Sequence, residues 1–159
     1  MKNIICVACC FCMLMSCMPN CDEAYPASMD LDSVNDQNQV LDGLDVVACY
    51  NKTEVGIGKD NIVSVDNGVK FNFLNSQNKT MFDSNPKKFM PQVGGYCIVA
   101  AAYGKVEAVD KKHYGVYNGK LYFTTNEKAF NMWMKNQEEL TQKGEAMWPC
   151  LVSKKGRKI

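Results

Sequence analysis

The rhythm of apolar and polar positions changes several times along the chain, and each change marks an element. Val65-Asp66-Asn67-Gly68-Val69-Lys70-Phe71-Asn72-Phe73 sets an Asn-Gly pair between two strand-like runs, and Val116-Tyr117-Asn118-Gly119-Lys120-Leu121-Tyr122-Phe123 does the same. Asn-Gly tolerates the positive φ angles of a tight turn, so both stretches predict β-hairpins. A helix signal follows each. Asn75 or Ser76 caps a predicted helix over residues 77–83 that turns Met81 and Phe82 inward, and Asn85-Pro86 ends it. Thr125 or Asn126 caps a second over residues 127–135, where Phe130 and Trp133 share a face. Shifted by fifty-one positions, Gly68 meets Gly119, Phe71 meets Tyr122, Asn75 meets Asn126 and Phe82 meets Trp133. That spacing predicts a ββα unit used twice.

Between the units, residues 91–103 read as a helix whose small residues Gly94, Gly95, Ala100, Ala101 and Ala102 allow close approach to a sheet, with Gly104 as its stop. Cys97 then lies inside that helix, in phase with Ala101. A further helix is predicted over residues 137–147 around Leu140, before Trp148-Pro149. The fold class expected is α+β, a small antiparallel sheet built from hairpins and packed with several short helices.

The ends follow other rules. In residues 1–21 Lys2 is the only charge, and an apolar run extends from Ile4 to Met15. That is a signal-peptide pattern, shorter than the roughly 18 apolar residues of a spanning helix. Leu14-Met15-Ser16-Cys17 resembles a bacterial lipobox, so the expected layout is a lipoprotein-type signal over residues 1–17 with Cys17 as a membrane-tethering lipid anchor. The protein is thus expected to be exported and held in the cell envelope, or released there by simple cleavage. Residues 18–40 are acidic, polar and aperiodic, the composition of a flexible linker. The domain is expected over residues 41–151, and residues 152–159 form a short basic, solvated tail.

A chain of 159 residues is long enough for one such domain and too short for two ordinary ones. With 18 basic against 17 acidic residues, nothing gathers polyanions, which excludes nucleic acid as a partner class. Of nine cysteines, Cys21, Cys49, Cys97 and Cys150 remain in the exported part once Cys17 carries lipid. None of these four stands in a CxxC pair, so a thioredoxin-like or zinc-ribbon reading has no support, while one or two disulfides of open pairing are permitted.

His113 is the single imidazole, which rules out a histidine metal cluster and leaves a triad without partners. Cys97 in Val93-Gly94-Gly95-Tyr96-Cys97 stays open between a packed thiol, half of a disulfide, and metal or redox chemistry. Met81, Met90, Met132, Met134 and Met147 are soft ligands for Cu(I), but at these helical spacings the core-filler reading is the stronger. Glu138-Glu139 diverge on a helix, and Gly56-Ile57-Gly58 lacks the rest of a dinucleotide loop.

Taken in order, Leu41-Asp42-Gly43-Leu44-Asp45-Val46-Val47-Ala48, Val69 to Phe73, Phe82-Asp83-Ser84-Asn85-Pro86-Lys87-Lys88-Phe89, Pro91-Gln92-Val93-Gly94-Gly95-Tyr96-Cys97, Asn118 to Phe123 and Trp148-Pro149 resemble exported YHS-domain proteins. The resemblance runs from about Leu41 to Leu151 and implies metal binding. Gly-Gly-Tyr-Cys matches the exported branch's signature, whereas the strand ending at Leu74 carries no cysteine where short members have one. Cys49 and Cys150 stand where the family has an aromatic and a polar residue; as paired departures they imply a disulfide, closing a loop of about 100 residues. The function expected is a non-catalytic binding module holding a transition metal, copper or zinc, or a small ligand near Tyr96, Cys97 and His113. Two other readings stay open: a thiol redox protein using Cys97 with Cys49 or Cys150 as resolving partner, and a structural domain without small-molecule chemistry.

Overall fold

Both Asn-Gly pairs turn a hairpin in the computed structural model, which describes residues 34–155. In chain order the elements are α1 (Val46–Asn51), β1 (Lys59–Asp66), β2 (Val69–Phe73), α2 (Ser76–Ser84), α3 (Pro86–Phe89), α4 (Ile98–Ala102), β3 (Tyr114–Tyr117), β4 (Lys120–Phe123), α5 (Glu127–Lys135) and α6 (Gln137–Lys155). Strand β1 pairs antiparallel with β2, and β3 with β4, giving two separate two-stranded sheets in an α+β fold. The turns hold left-handed φ angles, 50° and 83° at Asn67 and Gly68, 49° and 72° at Asn118 and Gly119. Two strands alone are marginal in water, so each hairpin depends on the helices packed against it. The expected signal peptide, Cys17 and most of the expected linker lie outside the described residues.

The repetition extends well beyond ββα. Asn75 and Asn126 cap α2 and α5, their side chains accepting from the backbone N–H of Asn78 at 2.8 Å and of Ala129 at 2.9 Å. The same two helices close alike, Asn85 donating to Phe82 and Asn136 to Trp133, both at 3.0 Å. Upstream, a single 3-10 turn at Leu41–Gly43 precedes α1 and another at Val93–Gly95 precedes α4. Asp45 caps α1 and Cys97 caps α4. The backbone N–H of Asp45 donates to Gly56 and that of Cys97 to Glu107, both at 3.1 Å. Each unit is therefore a tight turn, a capped short helix, a hairpin and a second helix.

Where the units differ, their neighbours differ. Helix α1 lies on the second hairpin, so Tyr114, Val116, Leu121 and Phe123 share a core with Val46, Val47 and Cys49. The matching face of the first hairpin carries Val63, Val65, Lys70 and Asn72. Val65 is 64% exposed, and Asn72 is buried only under polar cover, accepting from Gln39 Nε2 at 3.3 Å. On the opposite faces, Phe82 covers Phe71 and Phe73, and Trp133 covers Tyr122. The larger indole leaves no room for a side chain at Gly115, where a Cβ would stand 2.7 Å from the ring.

Helix α6 seals the second unit by packing on α4. At Gly144 a Cβ would stand 2.7 Å from the carbonyl oxygen of Ile98, so glycine sets how closely the two helices approach. Leu140 and Trp148 complete that core, the Trp148 ring lying 5.8 Å from Tyr96.

Four expectations change. The predicted helix over residues 91–103 is a 3-10 turn, an extended Tyr96-Cys97 step and the five-residue α4, because Val93, Gly94 and Gly95 hold φ of 47°, 62° and 80°, which no α-helix accommodates. The last helix passes through Pro149 instead of stopping near Met147; the packing of α6 on the core outweighs one missing backbone donor. Residues 34–40 of the expected linker are folded, Val40 donating to Lys70 at 3.0 Å and Lys70 to Asn38 at 2.8 Å. The backbone of α6 also runs into the expected basic tail, as far as Lys155.

Candidate functional site

At the centre of the Gly-Gly-Tyr-Cys motif, Cys97 is 1% exposed and its Sγ accepts from the backbone N–H of Ala100 at 3.4 Å. The thiol performs the task Asp45 performs in the first unit, capping a short helix, rather than lying inside a longer one. Around it Tyr96, Ile98, Ala101 and Trp148 form one apolar cluster. A thiol so enclosed behaves as a small hydrophobe.

Asp45 is the polar centre that the chain pattern did not expose. Fully buried, it accepts from Val47 N–H at 2.9 Å and Ala48 N–H at 3.0 Å through Oδ1, and from Leu74 N–H at 2.8 Å and Asn78 Nδ2 at 2.7 Å through Oδ2. Four donors share one carboxylate, which ties α1 to the end of β2 and to α2. The local signal for it was present, an aspartate directly before a short apolar run; its partners in the second hairpin arm and α2 were not.

Cys49 is buried at 0% exposure beside that carboxylate, and its thiol is pushed up to about 12, first by burial and then by the charge of Asp45. It is a free thiol, so the expected Cys49–Cys150 disulfide is not formed. The physical reason lies in the packing: Cys49 faces the first core from α1, whereas α6, which carries Cys150, closes over the second. Cys150 itself is buried and is not a free thiol.

His113 precedes β3 and braces a bend. Its backbone N–H donates to Asp110 at 2.9 Å and its carbonyl accepts from Thr124 at 2.8 Å. Nδ1 lies 3.2 Å from Asp110 Oδ2 without the alignment of a hydrogen bond, and the ring stands 6.2 Å from Phe130. The Asp110 carboxyl is held below its ordinary range, first by the Lys112 backbone N–H and then by His113 and Lys112 charge. Tyr96 and Cys97 thus belong to the core under α6, while His113 leans on α5. Among the described residues no three His, Cys, Asp or Glu side chains gather closely enough to hold a metal ion.

A cleft lies across the junction of the two units, with a volume of about 380 Å³. Leu44, Val55 and Ile57 line it from the first unit, and Lys111, Lys112 and Tyr114 from the second. A larger depression of about 560 Å³ runs along α5, but this one helix and its C-cap line it, mostly with polar side chains, so it offers no enclosing wall. The junction cleft is apolar on one side and donor-rich on the other, the composition of a small-molecule site. No residue pair marks it in the sequence, because Ile57 and Lys111 meet only through the packing of the units.

No model of a known family, no curated protein and no solved structure matches the chain.

Proposed function

We propose that this chain is a non-catalytic binding module of an exported, envelope-tethered protein, taking a small ligand by non-covalent contacts. The observation that carries the reading is the state of Cys97: the nucleophile of the motif most suggestive of chemistry is 1% exposed and spent as a helix cap. Cys49 is sealed equally well, its thiol held protonated by burial. Asp45 is itself fully buried and has both carboxylate oxygens committed to hydrogen bonds, so it is no general base in waiting. The open junction cleft supplies what a binding module needs. Export is supported by the charged start and apolar run of residues 1–15 and by the resemblance to exported YHS-domain proteins. No helix among the described residues is long and apolar enough to cross a membrane; the tether we propose is Cys17, on the strength of the lipobox-like Leu14-Met15-Ser16-Cys17.

Of the two ligand classes expected, the small organic ligand fits the cleft, while the metal rests on the family resemblance alone. Mass spectrometry of the protein purified from its own envelope tests the reading. The expected result is an added mass present under native conditions, lost on denaturation, and retained in Cys97→Ser. An adduct that survives denaturation and maps to Cys97, or metal that disappears with Cys97→Ser, would contradict it.

A further inference from the structure

We propose that the cleft between the two units binds a small amphipathic carboxylate, an acid with an apolar body; this deepens the binding-module reading and rests on it. The apolar wall is Leu44, Val55 and Ile57, and Ile57 is left 55% exposed, a large aliphatic surface with no cover among the described residues. The wall is built in advance of any ligand. Leu44 and Ile57 are joined by a β-bridge, Asp45 N–H donates to Gly56 at 3.1 Å, and Gly58 N–H donates to Gly43 at 2.8 Å.

Opposite this wall, every polar side chain is a donor. Lys111 Nζ is engaged by Asp42 Oδ2 at 3.0 Å, which leaves its charge largely neutralised. Lys112 forms no direct ion pair among the described residues, although its charge acts on the neighbouring Asp110 carboxyl, and the Tyr114 hydroxyl makes no hydrogen bond there. Burial raises the Tyr114 phenol above its ordinary value, keeping the proton it would donate. The cleft therefore presents one ammonium held in no direct ion pair and one neutral donor beside an apolar surface. That charge matches a monoanion better than a phosphate dianion, and the apolar wall requires more than a bare anion.

Titration of the purified protein followed by amide chemical shifts, with sodium octanoate as the probe and octan-1-ol and acetate as comparisons, decides the matter. Octanoate is expected to saturate one site, shifting residues 55–57 and 111–114, with octanol and acetate each at least about tenfold weaker because each lacks one half of the match. Lys112→Gln and Tyr114→Phe are each expected to weaken octanoate about tenfold while leaving the spectrum of the free protein folded. Val65→Ser, an exposed change remote from the cleft, is expected to alter nothing. Equal binding of octanoate and octanol, indifference to both cleft variants, or no saturable shift would overturn the proposal. So would a markedly tighter interaction with acetyl-leucyl-leucine, which would make the cleft a peptide-terminus site. If octanoate fails while the native mass still carries a non-covalent ligand, the cleft assignment falls and the binding-module reading stands. A covalent adduct on Cys97 would remove the latter instead.

Discussion

Asp45→Ala is expected to lower stability by about 4 kcal/mol, enough to leave a domain of ordinary stability close to unfolding. Four donors lose their acceptor at once: Val47 and Ala48 N–H at the start of α1, Leu74 N–H at the end of β2, and Asn78 Nδ2 on α2. The helix cap alone accounts for about 1 kcal/mol, and each buried donor left without a partner adds about 1 kcal/mol or more. Asp45→Asn separates the two functions of the carboxylate. Its carbonyl oxygen still caps α1, while its NH2 group faces the Leu74 and Asn78 donors, so an intermediate loss of about 2 kcal/mol is expected. Urea midpoints of the three proteins measure these differences. A loss under about 1 kcal/mol for the alanine variant would show that water or another acceptor replaces the carboxylate.

Gly58→Ala is the second large effect. An added Cβ would stand 2.3 Å from the carbonyl carbon of Asn72 and 2.3 Å from the nitrogen of Phe73, which are backbone atoms that no rotamer change moves aside. Relief requires β1 to leave β2 at its first residues or the Gly58–Gly43 hydrogen bond to break. Overpacking of this kind costs about 3 kcal/mol. Gly68→Ala provides the comparison: nothing lies within 4 Å of its Cβ, and only the φ of 83° opposes it. The left-handed angle is worth about 1 kcal/mol, so the turn variant should melt well above the Gly58 variant in thermal unfolding.

The contrast between these sites explains how far the sequence could be read. Hairpin turns and capped helices are local events, and the Asn-Gly pairs together with Asn75 and Asn126 located them closely; α5 occupies residues 127–135 as the pattern predicts. The segment around Val93–Gly95 failed because an apolar, small-residue run looks helical whether or not its backbone is left-handed. Helices α1 and α3, of six and four residues, are too short for a period to register. Pro149 misled in the other direction, since packing overrides its local preference. At the site, Cys97 was legible as a motif but not as a cap, and Asp45 owes two of its four partners to Leu74 and Asn78 far along the chain.

The fifty-one-residue repeat also shows why equivalent positions carry different chemistry. Leu121 and Phe123 are apolar because α1 covers them, while Lys70 and Asn72 are polar where the corresponding face of the first unit meets solvent or Gln39. Asp45 and Cys97 perform one capping function, with a carboxylate where an extra strand end and Asn78 must be held, and with a thiol where the surroundings are apolar. Cysteine in the Gly-Gly-Tyr-Cys motif is accordingly the apolar form of a structural cap, and the binding surface we propose lies elsewhere, at the junction of the units.

That claim is tested most directly by the accessibility of Cys49 and Cys97, the two free thiols among the described residues. Iodoacetamide is added to the native protein between pH 7 and pH 9, and modification is followed by intact mass and peptide mapping. The expected result is no label on either residue in the native state at any pH in that range, and complete labelling of both after denaturation, because both are 0–1% exposed and the Cys49 thiol ionises only near 12. Labelling of Cys97 within minutes in the native protein at pH 7 would contradict the account and restore a thiol-based function.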